Sequence, residues 1–114
     1  MESLPNFQFA TLEISRLEKY VLNEDHPIGK HKARLFKALL GIYRKDADWL
    51  RGEILSKVPH CDCEMSALDD YGIRYVVPMK ITYFAKSCDL ISVWIIRKQQ
   101  LNPEFLTCYP VKPK

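Results

Sequence analysis

The spacing of hydrophobic residues changes near Tyr71, and this change predicts the architecture of the chain. Before Tyr71, apolar residues recur mainly at helical spacing. After it, they recur at every second position, as in β-strands. We therefore predict an α+β fold, with N-terminal helices packed on a C-terminal antiparallel sheet of about three to four strands. A length of 114 residues predicts a single domain, 1–114.

The N-terminal half is predicted to contain one short strand and three helices. The strand is expected within Phe7–Ile14, where apolar residues alternate loosely. Gly41 should end the second helix in a left-handed conformation. The predicted helices are Ser15–Leu22, Pro27–Leu40 and Asp46–Val58, the last with Asp46 as its cap.

The C-terminal half is predicted to be an antiparallel meander that follows an acidic loop. The loop, His60–Asp70, has four acidic residues and no Lys or Arg. Pro78 indicates that the first long strand lies at an edge or contains a bulge, whereas the second is apolar on both faces and should be central. The predicted strands are Tyr71–Tyr83, Leu90–Arg97 and Glu104–Pro110, joined by turns at Lys86–Asp89 and Gln99–Pro103.

The second predicted helix is strongly basic and contains the candidate anion-binding residues. Lys30, Arg34 and Lys37 form a stripe on the side opposite its apolar residues, and we assign them to substrate binding. Lys32 falls within the apolar arc instead. Two explanations are open. Either its charged end extends to solvent along the helix, or the helix phase is misjudged by one residue, so that Lys32 is an ordinary surface residue; or it is held inward because a ligand requires its charge.

Charge and composition indicate the class of partner. The chain has a formal net charge of +3, and basic regions flank the acidic segment, which fits a polyanion partner. Hydrophobic residues make up 47% and charged residues 27%, as in ordinary soluble domains. No apolar run approaches a membrane span and no signal-like leader opens the chain. We expect a cytoplasmic protein without membrane contact.

Candidate catalytic groups lie at both ends of the chain. His26 precedes Pro27 at a predicted helix start, where backbone amides favour an anion. A histidine there could act as a general acid or base, or could simply cap the helix. Thr107 and Tyr109 could add hydroxyl donors if the last strand packs near this helix, although both residue types are also ordinary in strands.

Cysteine spacing gives little support for a metal site. The segment His60-Cys61-Asp62-Cys63 is too tightly spaced for a standard zinc site, and Cys88 and Cys108 are expected to be small buried residues. The sequence also has no phosphate-binding glycine loop and no serine nucleophile motif. We predict no metal and no cofactor.

A series of short motifs runs along the chain: Tyr20-Val21-Leu22-Asn23, His26-Pro27, Gly29, Lys32-Ala33-Arg34, Phe36, Leu40-Gly41, Tyr71-Gly72-Ile73-Arg74-Tyr75, Val93-Trp94-Ile95-Ile96 and Leu106-Thr107-Cys108-Tyr109-Pro110. In this order they resemble a small bacterial domain of unknown function that occurs alone and at the C-terminal ends of polymorphic toxins. The resemblance covers residues 12–111, and its layout is similar to the barnase–EndoU–colicin–RelE class of ribonuclease toxins.

This resemblance implies a metal-independent ribonuclease toxin in which the ribose 2′-hydroxyl attacks the adjacent phosphate. It implies His26 as general acid or base, Lys32 and Arg34 on the phosphate, and Thr107 and Tyr109 beside them. The implied partners are RNA and a cognate antitoxin or immunity protein. The chain departs from the family pattern at Phe84–Asp89, where the family has a Gly-rich turn, and at His60–Cys63.

Two other functions compete with the ribonuclease prediction. The chain could be a non-catalytic binding module, similar to an antitoxin or adaptor, whose basic stripe of Lys30, Arg34 and Lys37 docks an acidic partner. Alternatively, the basic face serves only to keep the domain soluble. The sequence determines neither the RNA target nor the oligomeric state.

Overall fold

Two helices and a four-stranded antiparallel sheet form the framework of the molecule. The computed structural model describes residues 2–112. The sheet order is β1-β2-β3-β4, so each strand pairs with its neighbour in sequence. This confirms the predicted α+β arrangement. The elements are α1 (Lys30–Leu40), α2 (Ala47–Lys57), β1 (Glu64–Asp69), β2 (Gly72–Tyr83), β3 (Lys86–Arg97) and β4 (Glu104–Val111).

The segment before α1 differs from its prediction. The proposed strand within Phe7–Ile14 is wrong: Phe7–Phe9 is a 3-10 turn, and only Thr11 makes a single parallel bridge, to Glu104 in β4. The proposed first helix is a π-helical turn, Leu17–Val21. Further 3-10 turns occupy Arg44–Asp46 and Val58–His60.

The helix ends follow the sequence signals only in part. Gly41 has a φ of 72° and donates its N–H to the carbonyls of Phe36 and Lys37, as predicted for a left-handed helix end. Asp46 occupies the predicted cap position before α2, but its side chain makes no capping hydrogen bond to that helix. Its carboxylate accepts hydrogen bonds from Tyr43 and Tyr83 instead. However, α1 begins at Lys30 rather than at Pro27, because the preceding residues form a separate hydrogen-bonded turn.

The sheet has one more strand than its three predicted strands. The predicted acidic loop contains β1, which lacks an alternating pattern because it is an edge strand whose side chains are mostly exposed. The predicted turn at Lys86–Asp89 is also wrong, since these residues begin β3 and the hairpin turns at Phe84–Ala85. Pro78 lies in β2 beyond the last residue paired with β1, where that edge of the strand is free. β3 lies centrally between β2 and β4, as predicted.

A single hydrophobic core joins both helices to one face of the sheet. In α1 the buried residues Phe36 and Leu40 lie four positions apart, on the side that packs against β3 and β4. Lys32 is four positions before Phe36 and therefore shares this side. No helix among residues 2–112 is long and apolar enough to cross a membrane. Core residues contributed by the other elements include Leu50, Ile54, Val77, Ile81, Leu90, Trp94, Phe105 and Cys108.

Candidate anion-binding site

Lys32 is held inward, toward the last strand of the sheet. Its Nζ donates hydrogen bonds to the Tyr20 hydroxyl at 3.0 Å and to Thr107 Oγ1 at 3.1 Å. These bonds tie α1 to the π-helical turn and to β4. Of the two explanations left open by the sequence, inward placement is the one the geometry supports. An ammonium group has three N–H donors, so one remains for a ligand.

Within the described part of the chain, this ammonium group forms no ion pair. Among residues 2–112, no Asp or Glu oxygen lies within 4.0 Å of Lys32 Nζ. The buried thiol of Cys108 lies near Lys32 and stays neutral. Burial raises the pKa of this thiol far above its ordinary range, although the charge of Lys32 lowers it. A partly buried positive charge held only by neutral groups favours an anionic ligand.

His26 is linked to Lys32 by the ring of Tyr20, which contacts both residues. The His26 and Tyr20 rings meet edge to face, with their centroids 4.8 Å apart. The Nδ1 atom of His26 accepts the backbone N–H groups of Ile28 at 3.0 Å and Gly29 at 2.9 Å. Nδ1 therefore carries no proton, and the ring proton lies on Nε2. In this conformation Nε2 can donate a hydrogen bond to an anion but cannot accept a proton.

Gly29 allows the turn to approach Tyr20. A Cβ atom added to this glycine would collide with the backbone carbonyl of Tyr20. The residue is buried, and its carbonyl also accepts the first N–H bond within α1, from Ala33. Only glycine permits so close an approach between two backbones, which explains how the turn brings His26 against the Tyr20 ring.

Thr107 and Tyr109 are placed differently from each other. Thr107 is half-buried and joins the cluster through Lys32. Tyr109 is 39% exposed, and its hydroxyl makes no hydrogen bond with another residue of the described range 2–112. The two residues are separated by one position along β4, or roughly 7 Å, and lie on the same side of the strand. Among the described residues, Lys32 makes its hydrogen bonds and its cation–π contact with Tyr20 and Thr107 and not with Tyr109.

The predicted basic stripe remains on the surface. Arg34 and Lys37 are exposed and Lys30 is half-exposed. Lys37 forms an ion pair of 3.5 Å with Glu24 and lies over the ring of Tyr43. The stripe lies along α1, away from the hydrogen bonds of Lys32, so the two sets of basic residues form two different surfaces.

Tyr20 belongs to the cluster but is not among the site residues predicted from the sequence. It contacts both His26 and Lys32, and its hydroxyl is one of the two oxygens that hold the ammonium group. A sequence signal was present, since Tyr20 belongs to one of the motifs that carry the family resemblance. Its role depends on the approach of Gly29, which helical periodicity does not indicate.

The Cys61–Cys63 segment lies outside this site. Both cysteines are free and half-buried, and burial raises the pKa of each thiol. Within residues 2–112, no three His, Cys, Asp or Glu side chains are grouped as metal ligands would be. The segment leads into β1, and the Cys63 N–H donates to the Glu2 carbonyl at 2.8 Å.

The fold and the cluster define a small α+β domain with a lysine-centred site suited to an anion. The chain belongs to the family described as a domain of unknown function (DUF6883), whose model matches residues 3–112. Comparison with curated proteins and with solved structures finds no match.

Proposed function

We propose that this protein is a metal-independent endoribonuclease that acts as a bacterial toxin in the cytoplasm. The observation that carries the proposal is the ammonium group of Lys32, which has no carboxylate partner among residues 2–112 and is held by Tyr20, whose ring also contacts His26. A phosphodiester is the anion that fits both the cationic site and the resemblance to ribonuclease toxins. A cognate antitoxin or immunity protein would restrain the activity.

In the proposed reaction, Lys32 stabilises the charge that develops on the phosphate. The ribose 2′-oxygen attacks phosphorus and loses its proton, while the bond to the 5′-oxygen breaks and that oxygen gains a proton. Lys32 would bind a non-bridging phosphate oxygen with its remaining N–H. Fixed donors aimed at developing charge are among the largest contributions to catalysis.

In this proposal His26 acts as a hydrogen-bond donor to the phosphate and not as a general base. Because its Nδ1 already accepts two backbone N–H groups, His26 in this conformation donates from Nε2 to the phosphate. Water at this partly exposed site then accepts the 2′-hydroxyl proton and supplies one to the 5′-oxygen. Such a mechanism depends on charge stabilisation more than on proton transfer by a side chain.

The proposal is tested by RNA cleavage in the presence of EDTA. Purified wild-type protein should cleave single-stranded RNA, and Lys32→Ala should lower the rate about 100- to 1,000-fold, as loss of one charge-stabilising donor does elsewhere. Lys37 has no role in substrate binding under this proposal, contrary to the prediction from sequence, because Lys37 is exposed and paired with Glu24. Lys37→Ala is therefore the matched control on the same helix and should cleave at the wild-type rate. Expression in bacteria should arrest growth for the wild type and for Lys37→Ala only.

Intact RNA with the wild-type protein, together with normal growth on its expression, would overturn the proposal. Equal cleavage by Lys32→Ala and wild type would instead remove Lys32 from the site. Circular dichroism spectra should match across the three proteins, which separates loss of activity from loss of folding.

A second function is favoured by the exposure of the basic stripe. Arg34 is exposed and forms no ion pair among residues 2–112, so it is available to an acidic partner protein. If the chain is a binding module, charge reversal at Arg34 should abolish partner binding while Lys32→Ala leaves it intact. Under the ribonuclease proposal, Lys32→Ala should abolish growth arrest, whereas charge reversal at Arg34 should affect it less.

A further inference from the structure

An exposed group of aromatic side chains lies at the turn between β2 and β3. The rings of Trp49 and Tyr83 meet edge to face at 4.7 Å, and those of Tyr83 and Phe84 do the same at 4.7 Å. Phe84 is 87% exposed, the highest exposure among the large hydrophobic residues described. We call Trp49, Tyr83 and Phe84 the aromatic platform.

Phe84 occupies a backbone position that ordinarily favours glycine. The hairpin turns through Phe84–Ala85, between the paired residues Tyr83 and Lys86, and Phe84 has a φ of 54°. Asn6 and Gln99, the other non-glycine residues with positive φ in the described range, are polar. A bulky exposed residue at positive φ costs folding free energy and buries little surface in return. Folding alone does not explain an aromatic residue here.

The platform forms one wall of an open cavity of about 370 Å³. Its lining also includes Thr82 and Asp46, the residue that precedes α2. The two carboxylate oxygens of Asp46 accept hydrogen bonds from the Tyr83 hydroxyl at 3.2 Å and from the Tyr43 backbone N–H at 2.9 Å. Burial and this neighbouring carboxylate raise the pKa of Tyr83, so its hydroxyl stays protonated and continues to donate. These bonds fix one wall of the cavity.

Three exposed basic residues are neighbours of the aromatic platform along the chain. Arg44 and Lys45 are exposed and directly precede Asp46, and Lys86 follows the hairpin turn. The Lys86 Nζ atom lies close to Gly41, at the C-terminal end of α1. Exposed aromatic rings bordered by Lys and Arg are the combination with which proteins bind unpaired nucleotides, because the rings stack on bases and the cations contact phosphates.

We propose that the aromatic platform binds an unpaired base of single-stranded RNA. This inference rests on the proposed ribonuclease function and specifies its substrate class, because a base within a duplex is not available for stacking on Phe84. Lys32 and Gly41 lie at opposite ends of α1, roughly 14 Å apart along its axis. The platform therefore engages a nucleotide other than the one whose phosphate lies at Lys32.

Fluorescence of Trp49 provides a direct measurement of binding. The chain has two tryptophans; Trp94 is fully buried in the core, whereas Trp49 is half-buried and belongs to the platform. A single-stranded 2′-O-methyl oligoribonucleotide, which lacks the attacking hydroxyl, should quench this fluorescence. The corresponding duplex should quench it much less.

Three variants separate stacking from folding. Phe84→Gly should raise the Kd about tenfold, in line with the loss of one stacking interaction. Phe84→Tyr keeps the ring and should bind as the wild type does. Leu101→Ala is the matched control, since Leu101 is also highly exposed but lies outside the platform, and it should leave the Kd unchanged.

Thermal unfolding of Phe84→Gly gives a second result. Relief of the positive φ offsets the lost ring contact, so its Tm should equal or exceed that of the wild type. A Kd unchanged in Phe84→Gly, or a clear fall in Tm, would overturn the inference and make Phe84 a structural or protein-contacting residue. Quenching by the uncleavable oligonucleotide without any RNA cleavage would contradict the proposed function and leave this inference standing.

Discussion

Lys32 and Lys37 belong to the same helix, five positions apart, but their surroundings are opposite. Lys37 is exposed and paired with Glu24 at 3.5 Å, an arrangement that typically contributes between zero and about 1 kcal/mol. Lys32 is partly buried and held by two neutral hydroxyls. The difference shows that the more conspicuous basic surface of α1 is compensated at least in part, whereas its inward lysine retains an unbalanced charge.

The largest effect is expected from breaking the turn that positions the inward site. Gly29→Ala places a Cβ against the Tyr20 backbone carbonyl, so we expect a loss of about 2–3 kcal/mol in the free energy of unfolding. Urea denaturation measures it. Gly52→Ala is the control: nothing lies within 4 Å of the added Cβ, and this helical site should gain about 0.5–1 kcal/mol. Equal behaviour of the two variants would contradict the close-approach explanation.

A smaller effect should separate the two nitrogens of His26. His26→Ala removes the acceptor of two turn amides and should lower the free energy of unfolding by about 1 kcal/mol. His26→Asn places an oxygen near the former Nδ1 position and should restore most of that stability. Neither variant has the Nε2 donor, so RNA cleavage should be lost in both. Full cleavage by His26→Asn would show that His26 supports cleavage only by holding the turn with Nδ1, and that the Nε2 donor is not needed.

The smallest change in stability is expected when Lys32 and Lys37 are each replaced by methionine. Lys32→Met removes a partly buried charge while keeping a side chain of similar length, so the free energy of unfolding should stay equal or rise by about 0.5 kcal/mol. Lys37→Met should change it by less than about 0.5 kcal/mol. Cleavage should fall only in Lys32→Met. If the free energy of unfolding of Lys32→Met is far below that of the wild type, Lys32 serves to stabilise the fold and not to bind an anion.

Elements with strong periodicity were predictable from the sequence. The helix before Gly41 and the long strands of the meander are apolar at the spacing that their burial requires. β1 was not predictable in this way, because an edge strand with both faces largely exposed needs no alternating pattern. The turn at Phe84 was also missed, since it lacks the glycine that such a conformation usually requires.

For the candidate site, the sequence predicted residue identities better than contacts. The anomaly at Lys32 was visible as a charge within an apolar arc, and its bond to Thr107 follows from α1 packing against β4. The participation of Tyr20 was not visible, because it depends on two backbones meeting at Gly29. The tautomer of His26 depends on the same turn, whose internal hydrogen bonds no residue pattern specifies. Tyr109 lies beside the cluster, and its predicted catalytic role stays a prediction.

The bond between Lys32 and Thr107 spans 75 positions of the chain. During synthesis, the turn at His26, the π-helical turn and α1 all emerge before β4 has been made. A nascent chain therefore carries Lys32 without one of the two oxygens that orient it. The site becomes complete only when β4 pairs with β3, so a product that terminates before β4 lacks the assembled arrangement. Assembly of the site is in this way coupled to completion of the sheet.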